Sequence, residues 1–160
     1  MRRLFLFLLI LTGSLSGMAE QKNARLFRIE RSINQNIVCY DANLKNGLPD
    51  RKDPIDSYWS QLNNPKDRSE ITMFDAIAFG YKVKYVSDKE YLFTLRASSK
   101  KTFKMCQYKG KWVATTDING HEAQVTKLYV KMKTKLTADY LDIYGVDLAT
   151  GQQVKERLKK

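Results

Sequence analysis

The residues with the most capacity for chemistry fall close together: Arg31, Asn34, Asn36, Asp41 and Asn43. A guanidinium can clamp an anion or a carboxylate, and a carboxylate can accept a proton or a hydrogen bond. Strand alternation groups Arg31 with Phe27 and Ile29, and groups Asp41 and Asn43 with Ile37 and Cys39. Charges among apolar neighbours are costly unless paired and hydrogen-bonded. The segment therefore reads either as a polar binding cluster or, more economically, as an Arg31–Asp41 ion pair with Asn34 and Asn36 satisfying turn amides.

Lysine is the second feature. Lys127, Lys131, Lys133 and Lys135 alternate on one strand face beside Tyr129, opposite Leu128, Val130 and Met132. The whole chain has 28 basic and 17 acidic residues, a net charge of +11. Such a surface attracts anionic envelope polymers or lipid headgroups. The plain alternative is a solvated strand protected from aggregation by its lysines. No RNP-type or helix-turn-helix pattern is visible, so no specific nucleic acid is expected.

Other chemistries find little material. One histidine and two cysteines exclude a four-ligand zinc site of the finger type, and neither metal nor cofactor is expected. There is no Gly-x-Ser-x-Gly elbow and no glycine-rich phosphate loop after a strand. His121 follows the Asn119-Gly120 turn and reads as an exposed polar residue, with a metal-free enzyme using Asp41 or His121 as the remote alternative. Cys39 and Cys106 fit either a disulfide or two unpaired buried thiols.

The chain opens with Arg2-Arg3, an unbroken apolar run Leu4 to Leu11, and the small-x-small signal Gly17-Met18-Ala19. This order reads as a secretory signal peptide over 1–19, cleaved near Ala19, with one β-rich domain over 20–160. Its removal subtracts only Arg2 and Arg3 from the basic excess. No later stretch is apolar and long enough to span a bilayer. The expected location is periplasmic or secreted.

The elements that must position these residues are mostly strands. Segments 25–31 and 36–43 alternate and are joined by a short turn, a hairpin pattern. Asp53-Pro54 followed by Ile55, Tyr58, Trp59 and Leu62 at helical spacing predicts a helix. Asp67 with Glu70, then Ile71, Phe74 and Ala78 and finally Gly80, predicts a second short helix. Strands are expected at 81–86, 90–97, 102–108, 111–117, 124–135, 138–147 and near 154–158, with 98–101 as a turn. Close spacing and tight turns imply an antiparallel meander closing as a barrel or a sandwich, with two short helices inserted after the second strand. The aromatics Tyr58, Trp59, Phe74, Tyr91, Phe93, Phe103 and Trp112 are assigned to the core, with a ligand cavity as the lesser reading.

The stretch Phe27 to Asn43, with its Arg31-Ser32, Asn34-x-Asn36 and Tyr40-Asp41-Ala42-Asn43 elements, resembles a bacterial secreted family known as domain of unknown function (DUF) 4833. Pro54 with Tyr58-Trp59, the Ala78-Phe79-Gly80-Tyr81 segment and Tyr144-Gly145-Val146-Asp147-Leu148 with Thr150-Gly151 are also similar, Phe79 standing where the family pattern has tyrosine. The resemblance implies export and a shared fold, but no established activity. The residues themselves point to a non-catalytic binding domain for an envelope component or a small apolar or anionic molecule. The alternative is a structural or interaction module of an envelope assembly.

Overall fold

The computed structural model describes residues 23–134 and 137–159. The expected signal segment and Lys135 lie outside the described residues. In chain order the strands are β1 (Asn23–Arg31), β2 (Asn36–Lys45), β3 (Leu48–Pro49), β4 (Ile55–Gln61) and β5 (Ser69–Glu70). Helix α1 (Met73–Phe79) follows, then β6 (Tyr81–Ser87), β7 (Glu90–Leu95), β8 (Ser98–Tyr108), β9 (Lys111–Ile118), β10 (His121–Met132), β11 (Ala138–Asp147) and β12 (Gln153–Lys159). The protein is mainly β.

From β6 to β12 every strand pairs antiparallel with the next, which is the expected meander. Its turns explain the tight connections: Lys109-Gly110 and Asn119-Gly120 both hold positive φ at the two central positions, the twist a two-residue hairpin needs. The first arm is different. β2 pairs with β1 and β4, and β5 caps β4. β1 then joins the meander by parallel pairing to β10, Arg28 opposite Lys127 through Arg31 opposite Val130. Parallel strands need a long crossover, and here that crossover is most of the chain.

β11 lines one edge of β10 over its length. The other edge is shared: residues 121–124 pair with β9 and residues 127–130 with β1. The sheet therefore forks at β10, and the arm β1-β2-β4 folds over the arm β7-β8-β9. It curls into an open half-barrel, and this corrects the expected closure: β5 and β6 end the sheet unpaired on their outer sides.

Phe27 stands at the centre between the arms. Its ring stacks on Tyr40 at 4.7 Å, Phe103 at 6.0 Å and Phe93 at 6.1 Å. Rings fill the space where a barrel cavity was the lesser expectation. The Tyr40 hydroxyl donates to the Phe79 carbonyl at 2.6 Å, and the Trp112 indole N–H donates to the Gly47 carbonyl at 3.0 Å. Burial pushes the Tyr40 hydroxyl far above the usual tyrosine range.

Only one of the two expected helices forms among the described residues. The segment read as the first helix is strand β4, paired with β2 from Ala42–Ile55 to Asn36–Gln61. Adjacent Tyr58 and Trp59 go to opposite faces, so a stripe at helical spacing serves a strand apolar on both sides. Asn43 binds the Asp53 and Pro54 carbonyls, which ties the supposed helix start to β2 instead. The second helix is α1, but its capping box is Thr72 with Asp75, while Glu70 belongs to β5. Met73, Phe74 and Ile77 are exposed, Phe74 at 83%, which corrects its assignment to the core. Phe79 alone packs inward, edge-on to Trp59. Gly80 closes the helix without a left-handed φ; its role is space, because a Cβ there would lie 2.3 Å from the Ala76 carbonyl oxygen. Segment 98–101, expected as a turn, opens β8, the turn being Arg96-Ala97.

Truncating the central ring should cost heavily. Phe27→Ala is expected to lower stability by about 3–5 kcal/mol in urea unfolding, whereas Phe74→Ala should stay within about 0.5 kcal/mol. Equal effects would contradict this packing.

Candidate functional site

Cross-strand partners share a sheet face. Following the register from β4 to β12 places one set of side chains on the outer face, away from the Phe27 core. β4 contributes Asp56 and Tyr58, β2 contributes Cys39 and Asp41, and β1 contributes Arg25, Arg28 and Glu30. Lys127, Tyr129 and Lys131 follow on β10, then Tyr140, Asp142 and Tyr144 on β11, and Lys155 and Arg157 on β12. Arg68 reaches in from the loop before β5.

The arrangement is layered. Glu30, Asp41 and Asp142 are nearly buried, and each is covered by cations. Glu30 accepts from Arg28 at 2.8 Å and from Lys127 at 3.0 Å. Asp142 takes two bonds from Arg157, at 2.7 and 2.9 Å, and pairs with Lys155 at 2.8 Å. Asp41 pairs with Arg25 and accepts from the Tyr58 hydroxyl at 2.9 Å. Tyrosine rings support the same cations: Arg68 lies 3.7 Å above Tyr58, Arg157 3.7 Å above Tyr140, and Lys127 and Lys155 flank Tyr144 at 5.1 and 5.0 Å.

The electrostatics follow from this layering. Burial disfavours the ionised Glu30, but Lys127 and Arg28 outweigh it and hold its carboxyl below the usual range. The Arg157 hydrogen bonds bring Asp142 down to about 2 against opposing burial, with Lys155 adding to the effect. Asp142 in turn raises Lys155. Cations outnumber carboxylates on this face, which leaves it basic at its surface.

The expected cluster of five divides. Asp41 belongs to the outer face and pairs with Arg25, not Arg31, which corrects the expected ion pair. The cause is a β-bulge at Leu26, where the register shifts between Arg25 and Phe27. It turns Arg25 outward while Phe27, Ile29 and Arg31 stay on the inner side. There the Arg31 guanidinium lies 4.8 Å from the Trp59 ring and its Nη2 donates to Asn34 at 3.4 Å. Burial lowers the Arg31 pKa, partly offset by Asp75. Asn34 accepts from the Asn36 amide at 3.2 Å, as a turn requires, and Asn43 holds the Asp53 carbonyl. Strict alternation could not have found Arg25. The alternating Lys155 and Arg157, and Asp142 and Tyr144, were a readable signal.

The lysine comb is only partly free. Lys127 is committed to Glu30, while Lys131 and Lys133 are exposed with no ion-pair partner among the described residues. Both cysteines are free thiols. Cys39 points outward from β2 beside Ile37 and Tyr58, and Cys106 outward from β8 with its thiol toward Thr115, so the core separates them.

His121 does find an acid. Its Nδ1 lies 2.6 Å from Asp147, a pair separated by 26 positions. Asp147 also receives the Ala149 and Thr150 amides, and these bonds, the Thr150 amide first and His121 next, bring it down to about 2. It organises the β11–β12 turn. No hydroxyl or thiol bonds to His121 among the described residues, and no three His, Cys, Asp or Glu there could hold a metal.

Two measurements test this electrostatic assignment. In a double-mutant cycle, Arg25→Ala and Asp41→Ala should couple by about 1 kcal/mol, while Arg31→Ala and Asp41→Ala should add independently. For Asp142 and Asp147 the folded pKa of about 2 lies below the usual aspartate value of 3.8, so their stabilisation is complete above the higher value and is lost as pH falls toward the lower. The melting temperature should therefore drop across that window, and Asp142→Asn should flatten the drop.

The comparisons accord with the resemblance noted in Phe27 to Asn43. No characterised protein and no solved structure was found to match. Residues 27–157 match one family across both arms of the sheet, and on that match the chain belongs to the family described as Domain of unknown function (DUF4833).

Proposed function

We propose that the protein is an exported, non-catalytic binding domain that takes an extended anionic polymer across the outer face of β4-β2-β1-β10-β11-β12. The observation that carries this reading is the layer of Arg25, Arg28, Arg68, Lys127, Lys131, Lys155 and Arg157 over buried carboxylates and tyrosine rings. Neighbouring strands are about 4.8 Å apart, so cations on successive or alternate strands meet charges spaced about 5–10 Å along a polymer. Ion pairs and ring contacts already hold most of these side chains, which lowers the ordering cost of binding. Four clefts of about 310, 730, 440 and 320 Å³ are lined by none of them, so the face suits a polymer lying across it. The large apolar residues that are exposed, such as Met73 and Phe74, lie off this face. It has no apolar anchor for a bilayer, so polymer is favoured over lipid headgroup.

A second reading as an interaction module of an envelope assembly draws on a different region. Helix α1 exposes Met73, Phe74 and Ile77, and the edge strand β6 exposes Val83, Tyr85 and Val86.

The test uses heparin and long-chain polyphosphate as probes, with phosphatidylglycerol vesicles as the comparison. Polymer binding should weaken steeply between 0.1 M and 1 M salt as the Debye length falls from ~10 to ~3 Å. Lys131→Gln should weaken it with melting little changed, because that ammonium has no ion-pair partner among the described residues. Salt-independent binding, or vesicles bound in preference to both polymers, would overturn the reading.

A further inference from the structure

The open side of the half-barrel leaves a cleft of about 310 Å³ between the start of β8 and the ends of β11 and β12. Ala97, Ser98, Lys100, Leu141, Leu158 and Lys159 line it. Two observations set it apart. The Ser98 side chain is turned inward and only 6% exposed, and its Oγ has no hydrogen-bond partner among the described residues. A buried hydroxyl without a partner bears a desolvation cost that a native protein ordinarily avoids. Lys100 has no carboxylate within ion-pair distance among the described residues, although the adjacent Lys101 pairs with Glu156 at 2.6 Å.

The backbone explains the orphan. Ser98 faces Leu95 across the Arg96-Ala97 turn, and the register shifts at Thr94/Leu95. The hydroxyl is thereby carried to the core side, where Leu141 and Leu158 offer it no acceptor.

We propose that this cleft binds a small amphipathic carboxylate. Leu141, Leu158 and Ala97 take the hydrocarbon body, the Ser98 hydroxyl donates to one carboxylate oxygen, and Lys100 supplies the opposite charge. The volume lies at the lower end for ligand sites, which suits a chain of about eight carbons better than a long acyl chain. A carboxylate has two oxygens, and one hydroxyl and an ammonium can satisfy both. A phosphate would bring further acceptors into an apolar cleft that has nothing to meet them. This site is separate from the outer face and does not depend on the polymer reading.

The experiment titrates octanoate into the folded protein and follows amide shifts by NMR, with octylamine, octyl phosphate and acetate as the other probes. Octanoate should saturate one site, with shifts centred on residues 95–101 and 141. Acetate and octylamine should bind at least tenfold more weakly. Ser98→Ala should weaken octanoate about fivefold. It should also raise the urea midpoint of the free protein, because the unpartnered hydroxyl is gone. Leu158→Trp, on an edge strand, should fill the cleft and abolish the shifts with the fold retained. Octylamine or octyl phosphate binding as tightly as octanoate would overturn the assignment. So would shifts located elsewhere, or equal octanoate affinity in Ser98→Ala and Leu158→Trp.

Discussion

The whole architecture depends on the divided edge of β10. Its first residues hold β9 and its later ones hold β1, so a single strand joins both arms. The join is reinforced on every level: the Ser32 amide donates to the Val130 carbonyl, the Ser32 hydroxyl accepts from the Met132 amide, and Glu30 bridges to Lys127. At the fork the backbones crowd, and a Cβ at Gly145 would lie 2.7 Å from the Gln124 carbonyl oxygen. Only the smallest residue lets β11 follow β10 there. Without this fork Phe27 would have no facing arm, and the stacked core would be two exposed surfaces.

The same strand organises the outer face. Charges that cross from β1 to β12 could not form a continuous array unless β10 placed the two hairpins side by side. Burying the carboxylates beneath their cations has a definite electrostatic result. The negative groups are desolvated and locally neutralised, while the positive groups keep contact with solvent. An approaching ligand therefore meets a basic surface, although the face as a whole is an ion-pair network.

Much of the fold was legible because its signals are local. Strands β6 to β12 show themselves through alternation and Xaa-Gly turns, each requiring only a few neighbouring residues. The parallel pairing of β1 to β10 has no local signature, since its partners lie about a hundred positions apart. Strand β4 was misread because Ile55, Tyr58, Trp59 and Leu62 suit a helix by spacing, and only pairing to β2 decides the matter. The bulge at Leu26 hid Arg25 by reversing the phase within one strand. His121 and Asp147 meet through the β9–β10 and β11–β12 turns, a consequence of topology that composition could not reveal.

Helix α1 has a colloidal consequence. It places Met73, Phe74 and Ile77 in solvent on a chain whose net charge is +11. In dilute salt that charge keeps copies apart at distances greater than the reach of apolar contact. Added salt screens the repulsion but leaves the apolar attraction intact. Ionic strength thus sets whether the molecules in a concentrated solution repel or adhere, and the exposed helix is where adhesion begins.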